Sequence, residues 1–359
     1  MSPEATAHTG AGTGAEAAAA ARSLTDRLAK PRGALGRLEE LGIRLADMAG
    51  ACPPPVPEPA VVTVFAADHG VVAEGVTPWP QEVTARMVAV LCGGGAAINV
   101  LARHAGAAVK VVDVGVATPM PSATGLIDRK VRAGTANLAL EAAMTEEEAR
   151  RALDVGAEVA STSVGDGARC LVTGEMGIGN TTAAAALVAA LTGRAPLEVT
   201  GRGTGIDEAT WARKVGVVER ALGRTGGDAP PLRLLAGVGG LEIAALAGFV
   251  VGGAAARVPV LIDGLIAGAA ALAAAALVPG VERWCVAGHR SPEPGATVAL
   301  EHLCLEPVLD LGMRLGEGTG AVLALPLLQA AAKVLREMDS LDSLQWSGHP
   351  PQAPPSGRV

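Results

Sequence analysis

Short hydrophobic runs that end in glycine or aspartate alternate with alanine-rich stretches through most of this chain. Strands that are buried on both faces of a sheet are continuous runs of this kind, and intervening helices imply right-handed crossovers. The runs occupy residues 60–70, 107–116, 168–177, 232–240, 258–264 and 282–289. The alternation therefore predicts an α/β fold with a parallel sheet and helices on both of its faces.

The two ends of the chain fall outside this alternation. The stretch "SLTDRLAKPRGALGRLEELGIRLADMAG" predicts two helices that are separated at Lys30-Pro31, the first of them capped by Ser23. A proline-rich link, "CPPPVPEPA", follows and marks a domain boundary. We predict a small helical domain from residues 23–59 and 320–340, a large α/β domain from 60–319, and disordered tails at 1–22 and 341–359.

Composition excludes several classes of partner. A net charge of -7 without basic clusters, and an aromatic content of only 2%, argue against nucleic acid. The most hydrophobic run, residues 264–278, is too short for a membrane helix, and the N-terminus lacks the features of a secretion signal. Five scattered cysteines indicate neither a zinc site nor a disulfide framework. We expect a cytoplasmic protein that acts on small molecules.

The stretch "GEMGIGNTT", residues 174–182, differs at one position from the phosphate-binding P-loop pattern. Asn180 stands where that pattern has the lysine that contacts the β- and γ-phosphates of a triphosphate. Because the stretch follows a predicted strand and opens a helix, its backbone N–H groups could hold an anion. It predicts a monophosphate site; the alternative is a glycine turn that only allows close helix–strand packing.

A second glycine-rich turn, "TGRGTGID", precedes another helix at residues 200–207. It lacks the spacing of the dinucleotide fingerprint, so it is weak evidence for a dinucleotide. Lys214, in the helix that follows, could supply a cation beside the anion site. The alternative places Lys214 on a solvated helix face.

Glu317 is the sharpest catalytic candidate. It lies between two glycines in "RLGEGTGAVLALPLL", immediately before a hydrophobic helix that Thr319 could cap. Burial would raise the pKa of its carboxyl group and helix N–H donors would lower it, and such a group can act as a general base. The alternative is a glutamate that only stabilises the dipole of the helix that follows.

The loop "ADHGVVAEGVTPWPQEVT" follows the first predicted strand. Trp79, held between two prolines, could stack on a flat heterocycle, or it could fasten the loop or meet another subunit. The pair Asp68-His69 resembles a metal or acid–base pair, but no other histidine or cysteine is spaced to complete a site. We therefore predict no metal and no cofactor.

Taken together, these motifs resemble one family, the nicotinate-nucleotide–dimethylbenzimidazole phosphoribosyltransferases. The resemblance covers residues 23–338 and rests on "KPRGALGRLEEL", "DHGVVAEGV", "GGGAAINVLAR", "GEMGIGNTT", "TGRGTGID", "VLIDG", "HRSPEPG" and "LDLGMRLGEGTGA". It implies transfer of phosphoribose from nicotinate mononucleotide to 5,6-dimethylbenzimidazole, which gives α-ribazole 5′-phosphate and nicotinate for the nucleotide loop of cobalamin. It also implies a homodimer with a Rossmann-like catalytic domain and a small helical domain.

The resemblance also assigns roles to residues. It makes Glu317 the general base. The phosphate and ribose end would be held by Glu175, Gly177, Gly179, Asn180, Thr181, Gly203, Lys214 and Asp263. The base would lie against Thr77, Trp79, Gln81 and Leu315. No metal is implied, because a monophosphate offers no pyrophosphate to bridge.

The chain departs from the family pattern near the predicted base wall. It has "GVTPWPQ" where the family has a sequence closer to "GVSAYPQ", so that Trp79 replaces a tyrosine and Pro78 a small residue. Ala67 stands where a glycine is usual. These changes leave the identity of the accepted base open.

Two other functions compete with transfer. One is a degenerate P-loop enzyme that phosphorylates a small metabolite, for which Asp263 would have to bind Mg²⁺. The other is a regulator that binds a nucleotide without catalysis, in which Glu317 only orients the ligand.

Overall fold

The structure is a computed structural model that describes residues 13–120, 124–226 and 229–344. The strands in these ranges are β1 (Ala60–Ala67), β2 (Ala107–Gly115), β3 (Leu126–Asp128), β4 (Cys170–Met176), β5 (Val260–Ile262) and β6 (Cys285–Ala287). The helices are α1 (Gly14–Arg27), α2 (Arg37–Ala49), α3 (Val83–Cys92), α4 (Ala97–Ala105), α5 (Glu146–Gly165), α6 (Asn180–Thr192), α7 (Pro196–Val199), α8 (Glu208–Thr225), α9 (Pro231–Val238), α10 (Leu241–Ala255), α11 (Leu265–Leu277), α12 (Pro294–His302) and α13 (Thr319–Glu337). Short 3₁₀ helices span Gly70–Glu74, Val281–Trp284 and Leu341–Leu344.

The strands form one parallel sheet in the order β3-β2-β1-β4-β5-β6. The order reverses between β1 and β4. From β1 the chain adds β2 and β3 on one side of the sheet, and it then returns to the centre and adds β4, β5 and β6 on the other side. In sheets of this order, ligands bind beyond the carboxyl ends of the strands at the reversal. The predicted parallel α/β fold is confirmed.

Sheet and central helices share an aliphatic core. All eight residues of β1 are buried, as expected for a strand covered on both faces. Helices α6, α10 and α11 are apolar around most of their circumference and are buried almost throughout. Their alanines and glycines allow the helices to lie close to the sheet and to one another, and one aromatic pair, Phe65 of β1 and Phe249 of α10, packs edge to face between them.

The strand predicted at residues 232–240 is wrong. Residues 231–238 form α9, which begins with a proline at its first turn. The run is rich in leucine and alanine, which favour helices over strands, and its apolar residues show no sustained alternation. The short edge strand β3 was not predicted, because three residues carry too little pattern to detect.

The chain forms two compact units, and their boundaries differ from those that the sequence predicts. Among the described residues, one unit comprises those of 13–57 and 326–344, and the other comprises those of 58–325. The predicted tail at 1–22 is wrong for residues 14–22, which belong to α1, and Ser23 lies inside that helix rather than at its cap. Thr13 caps α1 in a reciprocal capping box with Glu16. Residues 341–344 form a 3₁₀ helix, and residues 1–12 and 345–359 of the predicted tails lie outside the described residues.

Two stretches, Val83–Ala105 and Thr319–Glu337, are long and apolar enough to cross a membrane by length and composition alone. The first is two separate helices, α3 and α4, and more than half of the most apolar window of the second is buried within the protein. A core helix of a soluble protein passes the same test, so neither stretch is strong evidence for a membrane span.

Glycines set the distance between α5 and α10. A Cβ atom on Gly156 would overlap the carbonyl oxygen of Ala245, and one on Gly248 would overlap the carbonyl oxygen of Leu153. The absence of side chains at these positions therefore allows the two helix backbones to touch.

Gly156→Ala is expected to lower the free energy of unfolding in urea by ~1–3 kcal/mol, the usual cost of overpacking a core. Gly223→Ala in α8, which meets no atom within 4 Å, is the matched control. It should raise stability by ~0.5–1 kcal/mol, and equal effects of both variants would contradict this account of the packing.

Candidate active site

A cavity of about 380 Å³ lies at the carboxyl ends of the central strands, where the strand order reverses. Its lining includes residues that end β4 or closely follow β5 and β6, together with the segment that leads into α13. The predicted site residues that line it are Trp79, Glu175, Gly177, Asn180, Thr181, Gly203, Leu315 and Glu317. Cavities with mixed apolar and convergent polar walls are typical of small-molecule sites.

Glu317 has a left-handed backbone, with φ of 62°, and its neighbours Gly316 and Gly318 have φ of 88° and 94°. This conformation costs a non-glycine residue about 1–3 kcal/mol, and such strain concentrates at functional sites. The segment also lies directly against β4. A Cβ atom on Gly174 would lie 2.5 Å from the carbonyl oxygen of Glu317, and one on Gly318 would lie 2.8 Å from that of Thr173. Because the glycines of "GEGTG" have no side chains, the backbone can pass directly over the end of β4 and place the carboxylate of Glu317 there.

The carboxylate of Glu317 lies at the start of α4. Its Oε2 accepts a hydrogen bond from the backbone N–H of Ile98 at 3.3 Å, and the residue is only 4% exposed. Burial raises its pKa, the Ile98 N–H lowers it, and the charge of Asp263 raises it further, so the net pKa is above the ordinary value. Glu317 does not act on the dipole of the helix that follows it, as the alternative interpretation proposed; its side chain meets a different helix.

Asp263, rather than Glu317, interacts with the first N–H groups of α13. Its carboxylate accepts hydrogen bonds from the N–H groups of Gly318 at 3.2 Å and Ala321 at 2.9 Å, at the beginning of α13. It also lies 3.3 Å from Nε2 of His289. Asp263 was predicted to contact phosphate or ribose, but it is absent from the cavity wall and holds the segment that carries Glu317.

Glu175 is the penultimate residue of β4 and lines the cavity as a buried carboxyl group. Burial raises its pKa to about 8, and Asp263, Glu242 and Glu317 add to the rise, while the hydrogen bond from the side-chain amide of Asn180 opposes it. At neutral pH most molecules therefore carry a proton on Glu175. It can act as a neutral hydrogen-bond donor beside a second carboxyl group, Glu317.

Lys214 is 1% exposed, so the alternative of a solvated lysine is wrong. Its Nζ donates hydrogen bonds to Oγ1 of Thr181 at 2.9 Å and to the carbonyl oxygen of Gly201 at 3.3 Å. Burial lowers its pKa to about 8, and the charge of Glu293 opposes that shift. Lys214 stands behind the cavity wall and joins its two glycine-rich loops.

The loop at 200–207 is fixed from two further sides. The N–H of Gly203 donates to Oε1 of Glu293 at 2.8 Å, and the carbonyl oxygen of Gly203 accepts from Nη1 of Arg314 at 2.9 Å. Glu293 and Arg314 both line the cavity. The loop is therefore held by charged side chains rather than by secondary structure.

Some predicted residues do not reach the cavity wall. Thr77, Gln81, Gly179, Lys214 and Asp263 are not part of the lining. Thr77 instead accepts a hydrogen bond from the N–H of Trp79 at 3.3 Å and so shapes the loop that carries the tryptophan. Trp79 is 49% exposed at the cavity, where a flat ring could contact a ligand.

Sequence reasoning did not assign the lining residues Met87, His289, Ser291, Glu293 and Arg314. The signal for three of them was present in "HRSPEPG", which begins one residue beyond the end of β6, after Gly288. Arg314 stands three residues before Glu317. In the described ranges 13–120, 124–226 and 229–344, no group of three or more His, Cys, Asp or Glu side chains is arranged to hold a metal ion.

A family model described as phosphoribosyltransferase matches residues 12–345. A nicotinate-nucleotide–dimethylbenzimidazole phosphoribosyltransferase from Salinispora tropica is 56% identical over 343 residues, which cover 91% of this chain and 94% of that protein. The chain belongs to this phosphoribosyltransferase family. A phosphoribosyltransferase of the same name from Chloroflexus aggregans is 56% identical over 324 residues and covers 90% of this chain and 92% of its own.

The family resemblance extends to the structure. The crystal structure of CobT from Thermus thermophilus superimposes with a TM-score of 0.90 at 51% identity, and the match covers 92% of this chain and 99% of that one. This phosphoribosyltransferase therefore shares both the sequence and the fold of the family over nearly its whole length.

The buried proton on Glu175 makes stability depend on pH. Between the ordinary pKa of 4.5 and the folded value of about 8, the unfolded chain releases a proton that the folded protein retains, so stability falls as pH rises. Glu175→Gln is therefore expected to raise the free energy of unfolding at pH 8 by a few kcal/mol at most, on the order set by the shift. The gain should vanish towards pH 4.5.

Urea unfolding of the two proteins at several pH values measures this gain. Glu158→Gln changes an exposed carboxylate that pairs with Arg129 and serves as the control, with no comparable gain expected. A Glu175→Gln protein that is no more stable than the parent at pH 8 would show that Glu175 is ionised without penalty.

Proposed function

We propose that this protein transfers the phosphoribosyl group of nicotinate mononucleotide to 5,6-dimethylbenzimidazole. The products are α-ribazole 5′-phosphate and nicotinate, for assembly of the cobalamin nucleotide loop. The names of its relatives support this reaction. The structural observation that carries it is the Glu317 carboxyl group, held in a strained conformation between two glycines at a cavity of ligand size.

In the proposed step, one ring nitrogen of the benzimidazole attacks the anomeric carbon of the ribose. The bond from that carbon to the pyridinium nitrogen breaks, and its electron pair goes to the nitrogen, which leaves as neutral pyridine-type nitrogen in nicotinate. Glu317 takes the proton from the other benzimidazole nitrogen as positive charge develops on the ring. The leaving group needs no acid because it already carries positive charge, and inversion at the carbon gives the α-linkage.

We further propose that the loops at 174–182 and 200–207 hold the phosphate and ribose. Gly177 and Thr181 line the cavity beside the start of α6, where backbone N–H groups favour an anion. Lys214 lies behind Thr181 and supplies positive charge without exposing its side chain. Glu175, protonated at neutral pH, donates a hydrogen bond to the sugar without adding negative charge near the phosphate.

The base is proposed to lie between Trp79 and Leu315, with Met87 on the same lining. Trp79 and Leu315 are 49% and 60% exposed, so the base side of the cavity is apolar and open. An open apolar rim supports the proposal that the protein is a homodimer in which a second copy covers this region. We also propose that it acts in the cytoplasm.

No observation favours the two competing functions. A kinase would require an acid beside the phosphates to bind Mg²⁺, and Asp263 is engaged with the N–H groups of α13. A regulator would give no reason for a strained glutamate at the cavity. Nicotinate release from nicotinate mononucleotide, with and without dimethylbenzimidazole, separates both alternatives from transfer.

Glu317→Gln is expected to keep the fold but to lower kcat by at least ~100-fold, the usual contribution of a general base. Nicotinate release under saturating substrates, followed by chromatography, measures the loss. Glu158→Gln, which changes an exposed carboxylate on α5, should keep the parent rate. Near-parent turnover by Glu317→Gln would refute the assigned role.

The pH dependence of kcat/KM for nicotinate mononucleotide reports on the phosphate site. Lys214 loses its charge, and Glu175 gains one, near pH 8. Both changes make the site less favourable for phosphate, so kcat/KM should fall above about pH 8 with a logarithmic slope that approaches about -2, one unit for each group. Glu175→Gln and Lys214→Gln should each reduce the limiting slope to about -1.

Lys214→Gln should also lower kcat/KM at pH 7 by ~10-fold or more, because the phosphate loses the positive charge behind Thr181 and the two loops lose the bonds that join them. An unchanged slope in both variants would show that the charge of neither group affects phosphate binding.

A further inference from the structure

Directly behind the cavity lies a buried histidine–glutamate pair that the proposed reaction does not use. Nε2 of His69 is 2.6 Å from Oε1 of Glu242, and both side chains are fully buried. His69 follows β1, and Glu242 lies in the first turn of α10. A buried ion pair of this kind adds little net stability, because removing both charges from water costs about as much as their attraction returns. Its presence therefore calls for another explanation.

Three glycines from two loops surround this pair. A Cβ atom on Gly177 would lie 2.5 Å from the carbonyl oxygen of Ala67, 3.3 Å from Nε2 of His69 and 3.4 Å from Oε1 of Glu242. A Cβ atom on Gly240 would overlap the His69 ring, and one on Gly179 would lie 3.4 Å from the His69 Cβ. The cavity loop therefore rests on the imidazole with no side chain between them.

A second contact holds the same loop from α3, whose first turn carries Thr84. The N–H of Ile178 donates to Oγ1 of Thr84 at 3.1 Å, and the Thr84 hydroxyl is hydrogen bonded to Asp68. Oδ2 of Asp68 in turn accepts from the N–H of Ala117 at 2.8 Å. The loop is thus supported by Thr84 of α3 on one side and by His69, which follows β1, on the other.

The pair also acts on the charge of the cavity. The groups that face His69 are Glu242 and Asp68; burial lowers the His69 pKa, but these two carboxylates raise it by more. Glu242, together with Asp263 and Glu317, raises the pKa of Glu175. A protonated His69 offsets part of the negative charge that Glu242 places behind the cavity.

We propose that His69 and Glu242 are positioning residues for the transfer reaction: the imidazole supports the loop at 177–180, and the pair fixes the electrostatic potential at Glu175. This inference rests on the proposed function. Because a shift of about 1 Å in a substrate-binding loop can cost ~100-fold in rate, the pair matters for turnover even though it touches no substrate.

The test compares Glu242→Gln, which keeps a hydrogen-bonding group but removes its charge, with Ser163→Ala, a change of a buried hydroxyl on α5 that bonds Lys110. Glu242→Gln should lower kcat by ~10–100-fold. It should also move the fall of kcat/KM to lower pH by at least ~0.5 unit, because Glu175 loses a negative neighbour. Ser163→Ala should change neither quantity. Loss of thermal stability in Glu242→Gln with an unchanged kcat and pH profile would overturn the proposal.

Two further experiments keep the proposal testable if Glu242→Gln does not fold. The double variant His69→Gln/Glu242→Gln removes both charges together, so no charge is left buried alone, and it should show the same loss of kcat. In the unaltered protein, the imidazole NMR signals of His69 should shift when nicotinate mononucleotide binds, although the ring lies behind the loop.

Absence of any shift on saturation with nicotinate mononucleotide, or parent-like kcat in the double variant, would overturn the proposal. The NMR result also separates the proposed transfer reaction from the proposed positioning role of His69 and Glu242. If the unaltered protein binds the nucleotide but releases no nicotinate, the proposed function fails, while the response of His69 still decides whether the pair supports the loop.

Discussion

Contact between the segment Gly316–Gly318 and the end of β4 is the constraint on which the site depends. The two backbones are in direct contact there, because a Cβ atom on Gly174 or on Gly318 would clash with the opposite chain segment. Asp263 holds the segment by accepting from two N–H groups at the start of α13, and the glutamate between the glycines is turned towards the cavity. The rest of the sheet supplies the strand ends that make this contact possible.

Carboxyl groups are concentrated at this edge of the sheet to a degree that a protein interior rarely tolerates. Glu175, Glu242, Asp263 and Glu317 are all buried, and each raises or is raised by another. The protein accommodates them in different ways: a proton on Glu175, helix N–H groups on Asp263, and an imidazole on Glu242. Distinct environments can hold chemically similar groups in different protonation states within one site.

The sequence was sufficient to predict the parallel sheet and the loops that carry the site, because both depend on local patterns. Continuous apolar runs identify buried strands, and glycine clusters after such strands identify ligand loops. Glu317 was recognisable for the same reason, since a glutamate between glycines before an apolar helix has no simple packing role.

What the sequence could not predict depends on contacts between distant positions. The burial of Lys214 follows from its bond to Thr181, 33 residues away, and the role of Asp263 follows from amides more than 50 residues later. His69 and Glu242 are 173 residues apart, so neither neighbourhood reveals the pair. The helix α9 was missed because an aliphatic run without clear alternation fits either a strand or a buried helix.

The lining of the cavity begins at Trp79 and ends at Glu317. A growing chain therefore cannot assemble this pocket until almost all of it has been synthesised, and contacts of such long range form slowly. During that interval the apolar helices α6, α10 and α11 have no complete sheet to cover them. An unfinished chain therefore exposes apolar helix surface for as long as the sheet is incomplete.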